Sequence, residues 1–221
     1  IKVRKKDGYT VIDYTFAGPD TFSNNFALEC RGLKFATDGK LIARPFQKIF
    51  NVGERQSVAE IDWSQPHTVF EKLDGSMVQG CMLRGEPALM TRGGISSQAQ
   101  LAAARAPAGV WELVRHTCAN GQTPIFEFTS PKNRIIVQYD IDRVTLLAVR
   151  DNLTGQYLDH KELAAEFSVN IAASFGRVDE PSEFIRTSRA VVGKEGYVIA
   201  FANGQRLKIK GEDYVVRHTA L

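Results

Sequence analysis

The chain has 221 residues, 43% of them hydrophobic, and carries a formal net charge of +3 with an isoelectric point near 8.8. This length and composition predict a single globular domain over residues 1–221. No apolar run reaches the roughly 20 residues of a membrane span, so we expect no membrane association. The mild positive charge permits a nucleic-acid partner without requiring one.

Three cysteines lie far apart along the chain, at Cys30, Cys81 and Cys118, and no two of them form a CxxC pair. This spacing argues against a disulfide framework and against a zinc site. It is typical of proteins in a reducing compartment, so the sequence predicts a cytoplasmic location.

The first part of the chain is dominated by strand patterns. Runs rich in β-branched and aromatic side chains predict strands, and Gly-containing pairs predict the turns between them. In chain order these elements are a strand at 9–16 broken by Gly18-Pro19-Asp20, strands at 26–36 and 41–43 around Asp38-Gly39, a short helix at 54–61, and strands at 67–71, 76–83 and 87–91. Asp-Gly between two such runs is a strong hairpin signal.

The second part of the chain mixes helices with strands. A helix is predicted from Ser96 or Ser97 to about Asn120, interrupted near Pro107. It is followed by strands at 124–129, 134–139 and 143–149, a helix at 160–167 capped by Asp159, a helix at 181–190, a hairpin of 196–202 and 205–210 across Asn203-Gly204, and a final helix from Glu212. Because most strands pair with sequence neighbours and helices are inserted between them, the sequence predicts an α+β fold with mainly antiparallel sheets.

The most informative segment is Lys72-Leu73-Asp74-Gly75-Ser76, which follows a predicted strand. An ordinary lysine amine has a pKa near 10.4 and is protonated at neutral pH, so it becomes nucleophilic only when nearby cations lower that value. Lys208 and Lys210 alternate along one strand and therefore point to the same face, where they can line a pocket and bind phosphates. A solvated strand face is an equally good interpretation of Lys208 and Lys210.

Two glutamates are candidate ligands of a metal ion. Glu127 lies between Phe126 and Phe128, so strand alternation places its carboxylate on the sheet face opposite both rings. Glu195 precedes Gly196 and the strand that begins there. Carboxylates, phosphate oxygens and water are the usual ligands of Mg²⁺, which makes both glutamates candidates for metal-assisted transfer at phosphate. A solvent-facing strand position for Glu127 and a loop position for Glu195 are the structural alternatives.

Basic and aromatic residues also alternate upstream, in Arg31-Gly32 and in residues 44–51, which include Lys48 and Phe50. Arginine can bind a phosphate through two nitrogens, and phenylalanine can stack on a base. Arg92 follows a predicted strand and is a further candidate contact for phosphate. A surface loop whose aromatic side chains anchor the core is the alternative.

Together these motifs resemble those of covalent nucleotidyltransferases, the superfamily of DNA ligases, RNA ligases and mRNA-capping enzymes. The motifs occur in the order Glu71 to Ser76, Phe126 to Phe128, Glu195 to Ile199 and Leu207 to Lys210. Upstream, Glu29 to Phe35 and Ala43 to Asn51 are similar to the segment before the nucleophile in RNA ligases of the phage T4 RNA ligase 1 type, to which fungal tRNA ligases are related. The resemblance spans residues 29–210.

The resemblance implies the nucleotidyltransferase fold of ligase adenylation domains and an ATP-dependent RNA ligase activity. It implies that Lys72 carries AMP covalently. The catalytic residues that it implies are Lys72, Asp74, Glu195, Lys208 and Lys210. The nucleotide-binding residues that it implies are Arg31, Lys48, Phe50, Glu71, Lys72, Gly75, Arg92, Glu127, Glu195, Lys208 and Lys210. Glu127 and Glu195 would serve Mg²⁺, with Mn²⁺ as an alternative.

In the implied reaction Lys72 attacks ATP, AMP passes to an RNA 5′-phosphate, and an RNA 3′-hydroxyl displaces the AMP. The expected partners are therefore ATP and RNA with 5′-phosphate and 3′-hydroxyl ends. We expect a monomer, with other oligomeric states left open, and a cytoplasmic enzyme for which a phage origin is an open alternative. The short stretch after Lys210 predicts no appended OB domain and no large C-terminal domain.

Three alternatives stand beside this interpretation: an mRNA-capping-type guanylyltransferase, a DNA ligase, and a non-catalytic RNA-binding module that retained the fold. The first two usually carry an OB domain after the last lysine motif, and the residues after Lys210 leave no space for one. The third is disfavoured because Lys72 and the later acidic and lysine motifs are all present, whereas loss of activity normally removes the nucleophile.

Overall fold

The computed structural model describes residues 1–18 and 20–220. The strands within these residues are β1 Lys2–Lys6, β2 Tyr9–Asp13, β3 Arg31–Ala36, β4 Leu41–Ala43, β5 Phe50–Asn51, β6 His67–Lys72, β7 Ser76–Leu83, β8 Glu86–Met90, β9 Gln122–Thr129, β10 Arg143–Asp151, β11 Tyr157–Leu158, β12 Asn170–Ile171, β13 Gly196–Phe201 and β14 Arg206–Lys210. The helices are α1 Asn25–Glu29, α2 Ser97–Arg105, α3 Ala108–Ala119, α4 His160–Glu166, α5 Pro181–Arg189 and α6 Glu212–Thr219.

The chain divides into two compact units, each made of three segments. Unit 1 consists of Ile1–Lys48, Ser76–Phe128 and Asp142–Ile171, and unit 2 consists of Ile49–Gly75, Thr129–Ile141 and Ala172–Leu221. This division does not test the prediction of one domain over residues 1–221, which stays a prediction.

Unit 1 contains two sheets. One has the strand order β1-β2-β3-β4 and is antiparallel throughout, and the other has the order β11-β10-β9-β7-β8, with β12 pairing in parallel with β10. Leu113 of α3, Phe126 of β9 and Leu146 of β10 are fully buried in its main core. Apolar side chains with this degree of burial supply most of the stabilisation of such a unit.

Unit 2 is built on a four-stranded sheet with the order β5-β14-β13-β6. The β14–β13 and β13–β6 pairs are antiparallel, and the short β5 runs parallel to β14. Its core is formed by apolar side chains of this sheet together with Ile185 of α5, and Val69, Ile199 and Ile209 are at most 4% exposed. Because Ile209 points into this core, Lys208 and Lys210 must point to the other face of β14.

The predicted α+β class and the antiparallel character of the sheets are confirmed. Both predicted hairpins form: β3 pairs with β4, and β13 pairs with β14. Ser96 and Asp159 cap α2 and α4 as predicted, each accepting a hydrogen bond from a backbone N–H in the first turn. Pro107 separates α2 from α3, because proline lacks the backbone N–H that a continuing helix needs.

Three predicted elements are wrong. Residues 54–61 form only a 3₁₀ turn at Val58–Glu60 instead of a helix. The strand predicted over 26–36 begins only at Arg31, because Asn24 caps the short helix α1 before it. Residues 134–139 form no strand. The break predicted at Gly18-Pro19-Asp20 includes Pro19, which lies outside the described residues.

Cys30, Cys81 and Cys118 are free thiols. No helix in the described part of the chain combines the length and the apolar character that crossing a membrane requires.

Candidate active site

The strand pairing of unit 2 aligns the motif residues across three neighbouring strands. Lys72, the last residue of β6, lies opposite Gly196, the first residue of β13. Gly196 in turn lies opposite Lys210, the last residue of β14. Segments that are far apart in the sequence therefore meet at one edge of a single sheet. Glu195 directly precedes Gly196 at this edge.

The carboxylate of Glu195 bridges the two lysines. Its Oε1 lies 2.9 Å from Nζ of Lys72 and 3.1 Å from Nζ of Lys210. Glu195 is buried, whereas the two lysine side chains are about one-quarter exposed (24% and 28%). We call these three residues the lysine–glutamate cluster. A buried carboxylate held between two amines is well ordered, because each ion pair is also a short charge-assisted hydrogen bond.

Gly196 permits this close packing of strands. Its φ is +147°, and a Cβ added there would lie 2.0 Å from the carbonyl oxygen of Ile209. Any side chain would therefore push β14 away from β13 at the position where Glu195 reaches Lys210. Only glycine fits at this position of β13, which lies between β6 and β14.

Asp74 anchors the loop that follows Lys72. Its carboxylate is 1% exposed. One oxygen accepts hydrogen bonds of 2.7 Å from the backbone N–H groups of Ile136 and Val137, and the other accepts one of 2.7 Å from the hydroxyl of Tyr214. The backbone N–H of Asp74 donates to the hydroxyl of Tyr139 at 2.9 Å. Burial and the hydrogen bond to Asp74 raise the pKa of Tyr214 well above its usual value, so this tyrosine stays a donor.

These bonds explain why residues 134–139 form no strand. The N–H groups of Ile136 and Val137 are used to hold the carboxylate of Asp74 and so cannot join a strand ladder. A buried carboxylate requires several donors, and this requirement prevails over the strand propensity of the Ile-Ile-Val sequence.

The other candidates in unit 2 lie on the same sheet. Phe50 on β5 stands opposite Leu207, and the guanidinium of Arg55 lies 4.9 Å from the centre of its ring. Glu71 is 3.4 Å from Nζ of Lys194. Lys208 shares its face of β14 with Lys210, as strand alternation predicts. Gly75 lies in the loop after β6 and ends the first segment of this unit.

In unit 1, Arg31 begins β3 and has an unsatisfied guanidinium nitrogen. Its Nε is buried and has no hydrogen-bond partner among the described residues. The next residue, Gly32, has φ +87°, and a Cβ there would lie 2.7 Å from the carbonyl oxygen of Arg92. A buried donor without a partner carries a free-energy cost that a bound anion would remove, so Arg31 suits its predicted role in nucleotide binding.

Arg92 has partners within unit 1. Its Nε donates to Asp13 at 2.8 Å, and a second nitrogen donates to the carbonyl oxygen of Tyr14 at 2.8 Å. The guanidinium also lies 4.3 Å from the centre of the Tyr14 ring. These contacts give Arg92 a structural role, and its predicted contact with nucleotide stays a prediction.

Lys48 and Glu127 are the remaining candidates of unit 1. Nζ of Lys48 lies 5.9 Å from the ring centre of Phe22. Glu127 is 9% exposed and sits on β9 between the fully buried Phe126 and Phe128. The structure does not place it as a solvent-facing strand residue, which was the alternative interpretation.

No group of three or more His, Cys, Asp or Glu side chains is placed to hold a metal ion in residues 1–18 and 20–220. Glu127 and Glu195 are buried carboxylates, one in each unit. Mg²⁺ at nucleotides commonly takes one or two protein carboxylates and completes its coordination with phosphate oxygens and water. The donor chemistry of these glutamates fits such an ion, and their roles as ligands stay predictions.

Sequence reasoning misses Tyr214 and Tyr139 as partners of Asp74. They are 140 and 65 residues away from it along the chain. The sequence does carry one general signal: an aspartate in a loop flanked by strands needs donors if it is buried. That signal does not say which residues provide them.

Comparisons with known proteins show which sequences the chain is similar to. The sequence profile of the T4 RNA ligase 1 type family, described as RNA ligase, matches residues 29–215. A putative RNA ligase of Thermovibrio ammonificans is 32% identical over 162 residues, which are 71% of this chain and 43% of that protein. RNA ligase 1 of bacteriophage TS2126 is 29% identical over 213 residues, covering 89% of this chain and 53% of that protein. The chain thus spans about half the length of these curated relatives.

Solved structures confirm the predicted fold. An archaeal ATP-dependent RNA ligase superimposes with a TM-score of 0.69 at 19% identity, covering 96% of this chain and 58% of that one. Naegleria gruberi RNA ligase, in a form with ATP and Mn, gives a TM-score of 0.63 at 16% identity, covering 79% and 58%. At these identities the two structures show the fold, and it is the family match over residues 29–215 that favours the RNA ligase interpretation over the alternatives.

Proposed function

Since the chain belongs to the RNA ligase family of the phage T4 RNA ligase 1 type, we propose that it carries out ATP-dependent RNA ligation through a lysine–AMP intermediate on Lys72. The observation that carries this proposal is the lysine–glutamate cluster, in which one buried carboxylate lies within 3.1 Å of both amines. A structural ion pair needs only one cation, whereas phosphoryl chemistry needs a nucleophile and a second positive charge beside it.

In the first step, Nζ of Lys72 forms a bond to the α-phosphorus of ATP, and the bond between that phosphorus and the bridging oxygen breaks to release pyrophosphate. The amine must lose a proton before its lone pair can attack. Oε1 of Glu195 lies 2.9 Å away and is the acceptor at hand. Lys210 lies on the other side of the same carboxylate, where it can balance the negative charge of the α-phosphate.

The remaining residues would hold the nucleotide. Lys208 joins Lys210 at the phosphates, and Phe50 offers a ring for stacking. Arg31 offers its unpaired Nε. A Mg²⁺ ion, or Mn²⁺, bound with help from Glu195 would neutralise phosphate charge, and the metal role of Glu127 stays a prediction.

In the following steps AMP passes from Lys72 to an RNA 5′-phosphate, and a 3′-hydroxyl then attacks that phosphate and releases AMP. The substrate is therefore RNA with these two ends. We further propose that the protein acts as a monomer in the cytoplasm.

The first test is formation of the adduct. Incubation with ATP and MgCl₂ should add the mass of one AMP to the intact protein, and Lys72→Ala should abolish this gain. Lys161→Ala, which removes an exposed lysine at the start of α4, is the matched control and should label like the wild type. An AMP adduct that persists in Lys72→Ala would exclude Lys72 as the nucleophile.

A second arm of the same test identifies the nucleotide and the substrate. Replacement of ATP by GTP should give no adduct, and efficient labelling by GTP would support a capping activity. Joining should require a 5′-phosphate and an RNA 3′ end. Equally efficient sealing of an all-DNA nick would contradict RNA specificity.

A further inference from the structure

A basic cleft lies in unit 2 beside the lysine–glutamate cluster. Its volume is about 370 Å³, which is within the range of ligand-binding sites. Strand β14 contributes Lys208 and Lys210, the end of α5 contributes Arg189, and α6 contributes His218. Asn51 and Thr219 add neutral hydrogen-bonding groups to the wall. Lys210 belongs both to this basic cleft and to the cluster, so a ligand in the cleft would lie next to the reacting amine.

One basic side chain of the cleft, Arg189, has no acidic partner among the described residues. The residues that line it include four basic side chains and no carboxylate. Arg189 makes no ion pair with any residue in 1–18 or 20–220. One turn earlier on the same helix, Arg186 pairs with Glu183 at 2.6 Å. An exposed arginine with free donors, facing a cleft that already contains two lysines, is suited to bind phosphate.

His218 of α6 also lines the basic cleft, and a ring contact fixes its position. Its ring stacks on Tyr214 with centroids 5.7 Å apart and an interplanar angle of 29°. Tyr214 is in turn held by its hydrogen bond to Asp74. His218 is therefore a positioned donor on α6 and faces the same cleft as Arg189.

We propose that the basic cleft binds a backbone phosphate of the RNA strand whose end is being joined, with Arg189 and His218 as contacts. This inference rests on the proposed RNA ligase function. Glu195, the proposed metal ligand, pairs with Lys210, so the triphosphate and its metal ion would lie at that lysine, and Arg189 and His218 remain for a ligand that needs no metal. A phosphodiester carries one negative charge and is commonly bound by arginine and by neutral hydroxyl and amide groups, which are the groups found here.

The test is RNA binding measured by fluorescence anisotropy with a short 5′-phosphorylated single-stranded RNA that carries a 3′ dye. Arg189→Ala should bind about tenfold more weakly, on the scale of one charge-assisted hydrogen bond. The slope of log affinity against log salt should fall by about 0.7 in magnitude, the value for one phosphate contact on a single strand. Arg189→Lys should restore most of the affinity, because it restores the charge.

Arg186→Ala is the matched control, since it removes another exposed arginine from the same helix but outside the cleft. Its RNA affinity should equal that of the wild type. Equal losses in Arg186→Ala and Arg189→Ala, or no loss in either, would overturn the proposal. So would an Arg189→Ala protein that needs more ATP for adduct formation but binds RNA normally, because the cleft would then hold the triphosphate.

The two proposals fail in different measurements. If the wild type binds RNA through Arg189 but forms no AMP adduct, the ligase proposal fails and the cleft assignment survives. If the adduct forms but Arg189→Ala binds RNA as tightly as the wild type, the cleft assignment fails and the ligase proposal survives.

Discussion

At the level of single residues, the proposed reaction gives Glu195 two tasks that depend on the same carboxylate. It holds the amines of Lys72 and Lys210 in place, and it is the nearest acceptor for the proton that Lys72 must lose. A substitution that keeps the shape but removes the charge therefore separates packing from chemistry.

We expect Glu195→Gln to slow adduct formation by about 10²–10³-fold, the usual effect of removing one preorganised charged group from an active site. The amide has nearly the same volume, so the fold should persist. The measurement is the rate of AMP transfer to Lys72 in single-turnover reactions. Glu183→Gln, which removes an exposed carboxylate that pairs with Arg186, is the control and should react at the wild-type rate. A Glu195→Gln protein as fast as the wild type would rule out both tasks.

At the level of elements, the sequence predicts hairpin turns and helix caps correctly, because neighbouring residues determine them. The hairpins at Asp38-Gly39 and Asn203-Gly204 depend on glycines with positive φ, and the caps of α2 and α4 depend on one side chain each. Residues 134–139 escape prediction because their backbone is recruited by Asp74, more than 60 residues earlier in the chain. Likewise, the sequence shows the order of the site motifs. It does not show the strand pairing that places Lys72 and Lys210 on either side of Gly196.

The hydroxyl of Tyr214 links helix α6 to the loop after Lys72, and this link can be tested. Tyr214→Phe leaves one oxygen of the buried Asp74 without its hydrogen-bond donor. We expect the free energy of unfolding to fall by about 1–3 kcal/mol, the cost of an unsatisfied buried polar group. Urea denaturation of the two proteins measures it.

Tyr197→Phe serves as the control for this change. Tyr197 packs its ring against Phe175 and Phe184, and phenylalanine retains those contacts. Its stability should therefore stay near that of the wild type. If Tyr214→Phe is as stable as Tyr197→Phe, the hydrogen bond to Asp74 contributes nothing to the anchoring of the loop.

At the level of the whole molecule, each unit has its own apolar core and its own share of the predicted site residues. Lys72, Lys208 and Lys210 belong to unit 2, whereas Arg31, Lys48, Arg92 and Glu127 belong to unit 1. The sequence shows the motifs in order but not this division, because strands of one sheet come from distant segments of the chain.

Unit 1 also contains a buried lysine whose titration makes the stability of the protein depend on pH. Lys34 is fully buried, and its amine donates to the carbonyl oxygens of Gly32 and Thr91 at 2.7 Å each and of Arg92 at 3.0 Å. Charged and titratable groups around it are Arg4, Asp13, Cys81 and Arg92. Burial lowers the pKa of Lys34 from 10.5 to about 7.

Between pH 7 and 10.5 the unfolded chain therefore keeps a proton on Lys34 that the folded chain has released. Stability rises with pH wherever the unfolded state binds more protons, so this lysine should add up to about 1.4 kcal/mol per pH unit to the free energy of unfolding across that range. This contribution is complete above pH 10.5 and has been lost once the pH falls through 7.

Lys34→Met removes the titrating group. Urea denaturation at several pH values should show the stability of Lys34→Met falling behind that of the wild type as the pH rises. Lys161→Met, on the surface, should follow the wild-type curve. Parallel curves for Lys34→Met and wild type would show that Lys34 is protonated in both states.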